Sequence, residues 1–200
     1  MQLLEFEKMV TLLKKYKIGF IKSKIIRAEN DFDRAGYPVV LKIFSPEIIH
    51  KTEKGGVVLN LRNKQEAVGA FKKLREISKN VLMQKMVKGR EIIIGMKRDP
   101  QFGPVIMFGL GGVFTEVIKD ISFRICPVGK KQAGEMIKEI KSYRILRDWR
   151  GQKPVKISDL IDIIVKTSNL SLEERVEEVD FNPVIVNNRG AFVVDARIIV

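Results

Sequence analysis

Apolar and polar positions along this chain repeat with two periods, and the period changes several times. Between Leu3 and Lys17, Leu4, Met9, Leu12 and Leu13 fall near one face of a helix, and Gly19 follows as a stop signal. Asn63–Lys79 carries Ala67, Ala70, Phe71, Leu74 and Ile77 at spacings of three and four, which predicts a second amphipathic helix. Lys130–Lys141 and Ile157–Ser168 also read as helices, bridged by a polar stretch around Trp149 to Pro154. The remaining apolar runs are short and rich in β-branched residues, as strands are. They are Ile21–Ala28, Pro38–Phe44, Val57–Leu61 and Val81–Val87, the last broken by Lys88 and Gly89. Glu91–Arg98 and Pro104–Phe108 follow, separated by the turn pair Asp99-Pro100. Val176–Asn187 and Ala191–Val200 close the series, with a hairpin turn expected at Asn188-Arg189-Gly190.

Composition narrows the picture. At 200 residues and 45% hydrophobic, the chain can build one domain or two small subdomains sharing a cleft. No apolar run approaches the eighteen or so residues that span a bilayer. The opening segment MQLLEFEKMVTLLKKYKIG has helical spacing and acidic residues where a signal peptide has an apolar block. A single cysteine, Cys126, excludes an internal disulfide, so a reducing cytoplasm is the expected location. The formal charge of +13 fits nucleic acid, an acidic partner or a nucleotide site with a lysine-rich exterior. The lysines are dispersed, and no RNP, zinc-finger or helix-turn-helix signature accompanies them, so no specific nucleic-acid recognition is expected. Arg144, Arg147 and Arg150 recur beside Trp149, either as a solvated basic face or as a docking surface.

Candidate chemistry centres on Tyr37–Leu61. Lys42 stands inside an apolar strand, where an ammonium needs an anionic partner. The loop that follows holds His50, Lys51, Lys54, Gly55 and Gly56. Paired glycines after lysines bring backbone N–H groups to phosphate oxygens, although a plain hairpin uses glycines too. His50 is the chain's one histidine; an imidazole nitrogen can accept a phosphoryl group or serve a structural role. Farther on, Gly109, Gly111 and Gly112 lack the spacing of a dinucleotide fingerprint and read as a tight turn or a close backbone approach. On the final hairpin Asn182 and Asp195 offer oxygens to Mg²⁺, or serve as a strand-end bend and an edge residue.

Three ungapped segments carry a family resemblance. They are VVLKIFSPEIIHKTEKGGV, VLMQKMVKGREIIIGMKRDPQFGPVIMFGLGGVFTEVIKDISFRICPV and VEEVDFNPVIVNNRGAFVVDARIIV. In this order they resemble the β subunit of ADP-forming acetyl-CoA synthetases, nucleoside-diphosphate-forming acyl-CoA synthetases; succinyl-CoA synthetase β chains are a more distant likeness. The resemblance implies an α+β ATP-grasp fold, with two subdomains around a nucleotide cleft. These would be residues 1–88 with the phosphate loop and 89–200 with the metal ligands. It implies the reaction acetyl-CoA + ADP + phosphate ⇌ acetate + CoA + ATP, with ATP/ADP and Mg²⁺ as cofactors. It also implies an α subunit, in an α2β2 assembly, that carries CoA binding and the main phosphohistidine. By the same resemblance His50, Glu116 and Asp180 form the catalytic set. Lys42, Gly55, Gly56, Gln84 and Glu91 bind the nucleotide, with adenine near Lys85–Val87, and Asn182 and Asp195 hold the metal. Two connections, Glu29–Gly36 and Ser78–Asn80, are shorter than the family's. Another ATP-grasp carboxylate ligase, or a degenerate basic subunit, remains the competing reading.

Overall fold

A computed structural model describes residues 2–44, 55–112, 120–147, 151 and 153–200. The chain divides into two compact units, Ile21–Val87 and Met1–Phe20 with Lys88–Val200.

The smaller unit is a four-stranded antiparallel sheet with a helix on one face. Its strands are β1 (Ser23–Ile26), β2 (Val39–Ile43), β3 (Val57–Leu61) and β4 (Val81–Lys85), in spatial order β1-β4-β2-β3. Helix α2 (Lys64–Ile77) begins at Asn63, whose side chain accepts the Glu66 N–H at 2.9 Å. Glu66 in turn accepts the Arg62 N–H at 2.8 Å and Asn63 Nδ2 at 2.7 Å, so the residues that open the helix hold one another. Ala67, Ala70, Phe71 and Leu74 bury one stripe of α2 against Val39, Leu41, Ile43 and Val81. Ile77, expected on that stripe, is 42% exposed. In the shortened connection the chain makes a single 3₁₀ turn, Glu29–Phe32. Fully buried Phe32 meets the Phe71 ring edge-to-face at 5.8 Å and joins the core under α2.

The larger unit holds a six-stranded sheet. Its strands are β5 (Arg90–Asp99), β6 (Gly103–Leu110), β7 (Ile121–Ile125), β8 (Glu178–Val186), β9 (Ala191–Val193) and β10 (Ala196–Ile199). They run β10-β8-β5-β6-β7 with β9 also on β8, every pairing antiparallel. Helices α1 (Phe6–Lys15), α3 (Lys130–Glu139) and α4 (Ile157–Glu173) share one core with it, through Met9, Leu13, Met136, Ile137, Leu160 and Ile164. Buried Asp120 starts β7 and accepts the backbone N–H groups of Lys141 at 2.6 Å and Ser142 at 2.7 Å. It thereby fixes the start of a 3₁₀ helix, Lys141–Leu146.

Four expectations change. A division at residue 88 assigns residues 1–20 to the first subdomain, but α1 buries Met9 and Leu13 in the larger unit's core. Leu3 bridges Ile199, and the Leu4 N–H donates to the Ile198 carbonyl at 2.9 Å. Strand β7 was not anticipated, and α4 continues past Ser168 to Glu173. The final strand splits at Val194 and Asp195, whose N–H groups both turn to the Pro183 carbonyl, at 3.2 and 3.5 Å.

Candidate functional site

The candidate residues that are described fall in both units: Lys42, Gly55, Gly56 and Gln84 in the smaller, and Glu91, Asp180, Asn182 and Asp195 in the larger. In the smaller unit, pleating turns Val39, Leu41 and Ile43 of β2 toward α2, and so turns Val40 and Lys42 to the opposite face. Register then places Gln84 opposite Val40 and Leu82 opposite Lys42. Lys42 and Gln84 are each 4% exposed and Leu82 is 1% exposed, while Val40, Ser23 and Ile25 on the same face are half-buried, so an ammonium and an amide are buried in a partly covered face. Buried polar groups of this kind are retained where they meet other polar groups. A residue that the sequence did not single out, Ser23, accepts a hydrogen bond from Gln84 Nε2 at 2.8 Å and donates to the Ile21 carbonyl at 2.9 Å. A serine opening a four-residue strand gives no signal of that contact.

Gly55 has φ +66°, the left-handed conformation that favours glycine, and buried Gly56 accepts the Ile43 N–H at 2.9 Å. These two residues therefore lead into β3 as a built turn beside Lys42, which pairs with Val57. His50, Lys51 and Lys54 lie outside the described residues, as does Glu116.

In the larger unit, Glu91 sits exposed near the start of β5. The Gly111 N–H donates to the Glu91 carbonyl at 2.8 Å, and a Cβ on Gly111 would come within 3.0 Å of Glu91 backbone carbon. Gly112, at φ +77°, leaves the space beside Glu91 Oε2. The close-approach reading of the glycine segment holds, with Glu91 as what it approaches. A cavity of about 470 Å³ opens between Lys88–Arg90, Lys153 and Val186–Asn188. Its wall is tied by Asn187 Nδ2 to the Lys88 carbonyl at 2.9 Å and by Arg90 to the Lys153 and Arg147 carbonyls at 3.0 and 3.2 Å.

Asp180 and Asn182 lie two residues apart on β8, Asp180 half-buried and Asn182 exposed. Ala196 pairs with Phe181 and the Asp195 N–H turns toward Pro183, so Asp195 comes beside the Asn182-Pro183 step. Asp195 is half-buried, and one of its oxygens accepts the Ala196 N–H at 3.1 Å. Among the described residues no group of three or more His, Cys, Asp or Glu could hold a metal. Asn182 lies on β8, but Asp195 stands in the break between β9 and β10 and not on the neighbouring strand that the sequence suggests; Mg²⁺ takes few protein oxygens and completes its shell with phosphates and water.

Comparison with known proteins gives these clusters a context. Residues 1–200 match the family model described as an ATP-grasp domain. The β subunit of acetate–CoA ligase [ADP-forming] I from Pyrococcus furiosus is 47% identical, over 94% of this chain and 88% of that one. A structure of Ca. Korarchaeum cryptofilum dinucleotide forming acetyl-coenzyme A synthetase 1 with coenzyme A, Ca-AMPCP and HgCl+ superposes with a TM-score of 0.91. It is 39% identical over 100% of this chain and 93% of that chain. Another structure of that enzyme, with coenzyme A and Mg-AMPPCP and its phosphohistidine segment pointing towards the nucleotide binding site, gives a TM-score of 0.87. The identity there is 40% over 99% of this chain and 92% of that one. The chain belongs to the ATP-grasp superfamily and, within it, to the β subunits of ADP-forming acetyl-CoA synthetases.

Proposed function

We propose that this chain is the nucleotide-activating subunit of an ADP-forming acyl-CoA synthetase. It would act with an α subunit in acetyl-CoA + ADP + phosphate ⇌ acetate + CoA + ATP. The observation that carries the reading is the buried polar face of the smaller unit, where Lys42 and Gln84 are each 4% exposed. A lysine held there presents fixed positive charge to phosphates in a site of low dielectric, where it acts more strongly than in water. The Gly55-Gly56 turn adds backbone donors on the same strand pair. Asn182 and Asp195 would hold Mg²⁺, with Asp180 and Glu116 in the catalytic set and Glu91 toward the nucleotide. Bound Mg²⁺ offsets charge on the phosphates during transfer.

His50 is the proposed relay. Its imidazole nitrogen attacks the γ-phosphorus of ATP, the P–O bond to ADP breaks, and ADP leaves with the electron pair. The reverse step returns the phosphoryl group to an ADP oxygen and frees the imidazole. In-line attack requires the reacting atoms within about 3–3.5 Å, so a phosphoryl group held by this subunit needs a carrier to reach acyl chemistry in another. The test combines the α subunit with wild-type or His50→Ala chain and supplies ATP carrying a radioactive γ-phosphate. Wild type should form an acid-labile, alkali-stable phosphoenzyme and synthesise ATP. His50→Ala should bind Mg-ADP normally and lose ATP synthesis; full synthesis by that variant would remove the relay.

A further inference from the structure

The chain enters the smaller unit at Ile21 and leaves it at Val87, so Phe20 and Lys88 are where the larger unit holds the two connections. Both are fastened to one hairpin, β8–β9. On the β9 arm the Val193 N–H donates to the Gly19 carbonyl at 2.9 Å, and Phe20 bridges Val193 in parallel. Just past the end of β8, Asn187 Nδ2 donates to the Lys88 carbonyl at 2.9 Å. Gly89 presses on the same strand end. A Cβ there would stand 2.4 Å from the Val186 carbonyl oxygen and 2.8 Å from Ile185 Cγ2, so any larger residue would force a shift.

Asn187 uses both ends of its side-chain amide. Its Oδ1 accepts the Arg189 N–H at 2.8 Å, and its backbone N–H donates to the Gly190 carbonyl at 3.0 Å, which together close the turn into β9. Only the NH₂ end can donate to a carbonyl and only the oxygen can accept an N–H, so the two side-chain bonds fix the amide's orientation. The turn thus carries a donor held outward, and that donor holds the Lys88–Gly89 peptide. This peptide follows directly on Lys85–Val87, the backbone near which the family resemblance sets the adenine. Backbone groups that read a base serve best when fixed beforehand, because ordering them on binding costs affinity. We propose that Asn187 is a positioning residue for the nucleotide base: it anchors the Lys88 peptide, where the Lys85–Val87 backbone ends, to the β8–β9 hairpin. The inference rests on the nucleotide reading above. Since β8 also carries Asp180 and Asn182, one strand serves both the proposed metal oxygens and the anchor of the base.

Asn187→Asp separates the two side-chain bonds, because it keeps an oxygen to accept the Arg189 N–H and loses the donor to Lys88. Assayed with the α subunit in the direction of ATP synthesis, it should raise KM for ADP by about three- to tenfold. Its kcat and its KM for phosphate should stay near wild type, which a general loss of structure would not allow. In NMR of the full-length chain, the Lys88 carbonyl carbon should move upfield as its hydrogen bond is lost. An unchanged KM for ADP, an unmoved Lys88 resonance, or a loss shared by kcat and by KM for phosphate would each overturn the proposal. Calorimetry with Mg-ADP tells its failure from that of the nucleotide reading. Wild-type chain that binds no Mg-ADP removes the nucleotide reading and the proposal with it. Wild type and Asn187→Asp binding Mg-ADP equally well removes the proposal alone.

Discussion

The two units treat the second face of their sheets differently. In the smaller unit that face carries Lys42 and Gln84 at 4% exposure, among half-buried Val40, Ser23 and Ile25. In the larger unit the candidate oxygens stand more open: Asn182 is exposed, and Asp180 and Asp195 are half-buried. On the proposed roles, the chemistry of each group accounts for the difference. A lysine gains strength against phosphate as water is removed, whereas Mg²⁺ dehydrates reluctantly and works best where protein oxygens leave room for water and phosphate. Concealment suits the cation that belongs to the chain, and openness suits the cation that must arrive.

The largest test of that division is Phe32→Ala. Removing a fully buried ring that packs on Phe71 should destabilise the smaller unit by about 3–5 kcal/mol. Backbone hydrogen exchange should accelerate in β2 and β4 and stay near wild type in β5 and β8. Equal acceleration in both units would show that they unfold as one.

Lys42→Ala and Asp195→Asn should separate closed from open chemistry. The first should weaken Mg-ADP binding by more than about tenfold, about 1.4 kcal/mol, at any Mg²⁺ concentration. The second should raise the Mg²⁺ concentration needed for binding, with affinity recovering as Mg²⁺ is increased. Calorimetry across a Mg²⁺ series reads both; a Lys42→Ala defect that excess Mg²⁺ cures would erase the distinction.

The smallest effect is a pH dependence. Asp31 is pulled down to about 2, first by its hydrogen bond from Lys24 at 2.6 Å and then by the Arg27 and Ala28 N–H groups. A carboxylate depressed in the folded state contributes stability above its unfolded value near 3.8 and loses it as pH falls toward about 2. Because Lys24 is 55% exposed, solvent limits the pair to roughly 1 kcal/mol or less. Asp31→Asn should flatten the smaller unit's loss of protection across that window. It should leave the larger unit's own acid response in place, since Asp120 contributes there. Burial alone would raise the Asp120 carboxyl, but bonds from Ser142 and Lys141 outweigh it and hold it low.

Much of this fold was legible wherever periodicity and burial coincide. The stripe of α2 and the strands β2 to β4 follow from spacing alone, as does the larger part of α1. Spacing could not say which core receives a helix, and α1 joins β10 although it precedes β1 in the chain. It also failed for β7, whose alternation of Ser122 and Arg124 with Phe123 and Ile125 makes sense only once β6 lies beside it. Lys42 was noticed because an ammonium among apolar neighbours demands explanation. Gln84, Glu91, Asp180 and Glu116 came from family resemblance, and Ser23 from neither, since its contact to Gln84 exists only through strand register.

The pairing of residues near position 2 with those near 200 has a consequence for how the chain is made. Gln2 and Val200 exchange backbone hydrogen bonds at 2.7 and 2.9 Å, and Leu3 bridges Ile199. During synthesis, then, α1 emerges before β10 and must wait for it before its surroundings are complete. The continuous segment Ile21–Val87 emerges in the interval and can close on itself. Completing the larger unit is a long-range closure across the whole chain, the slow kind in folding kinetics. The apolar stripe of α1, with Met9 and Leu13 at its centre, belongs to the core that this closure completes, so it is the part of the larger unit that waits longest for its full set of neighbours.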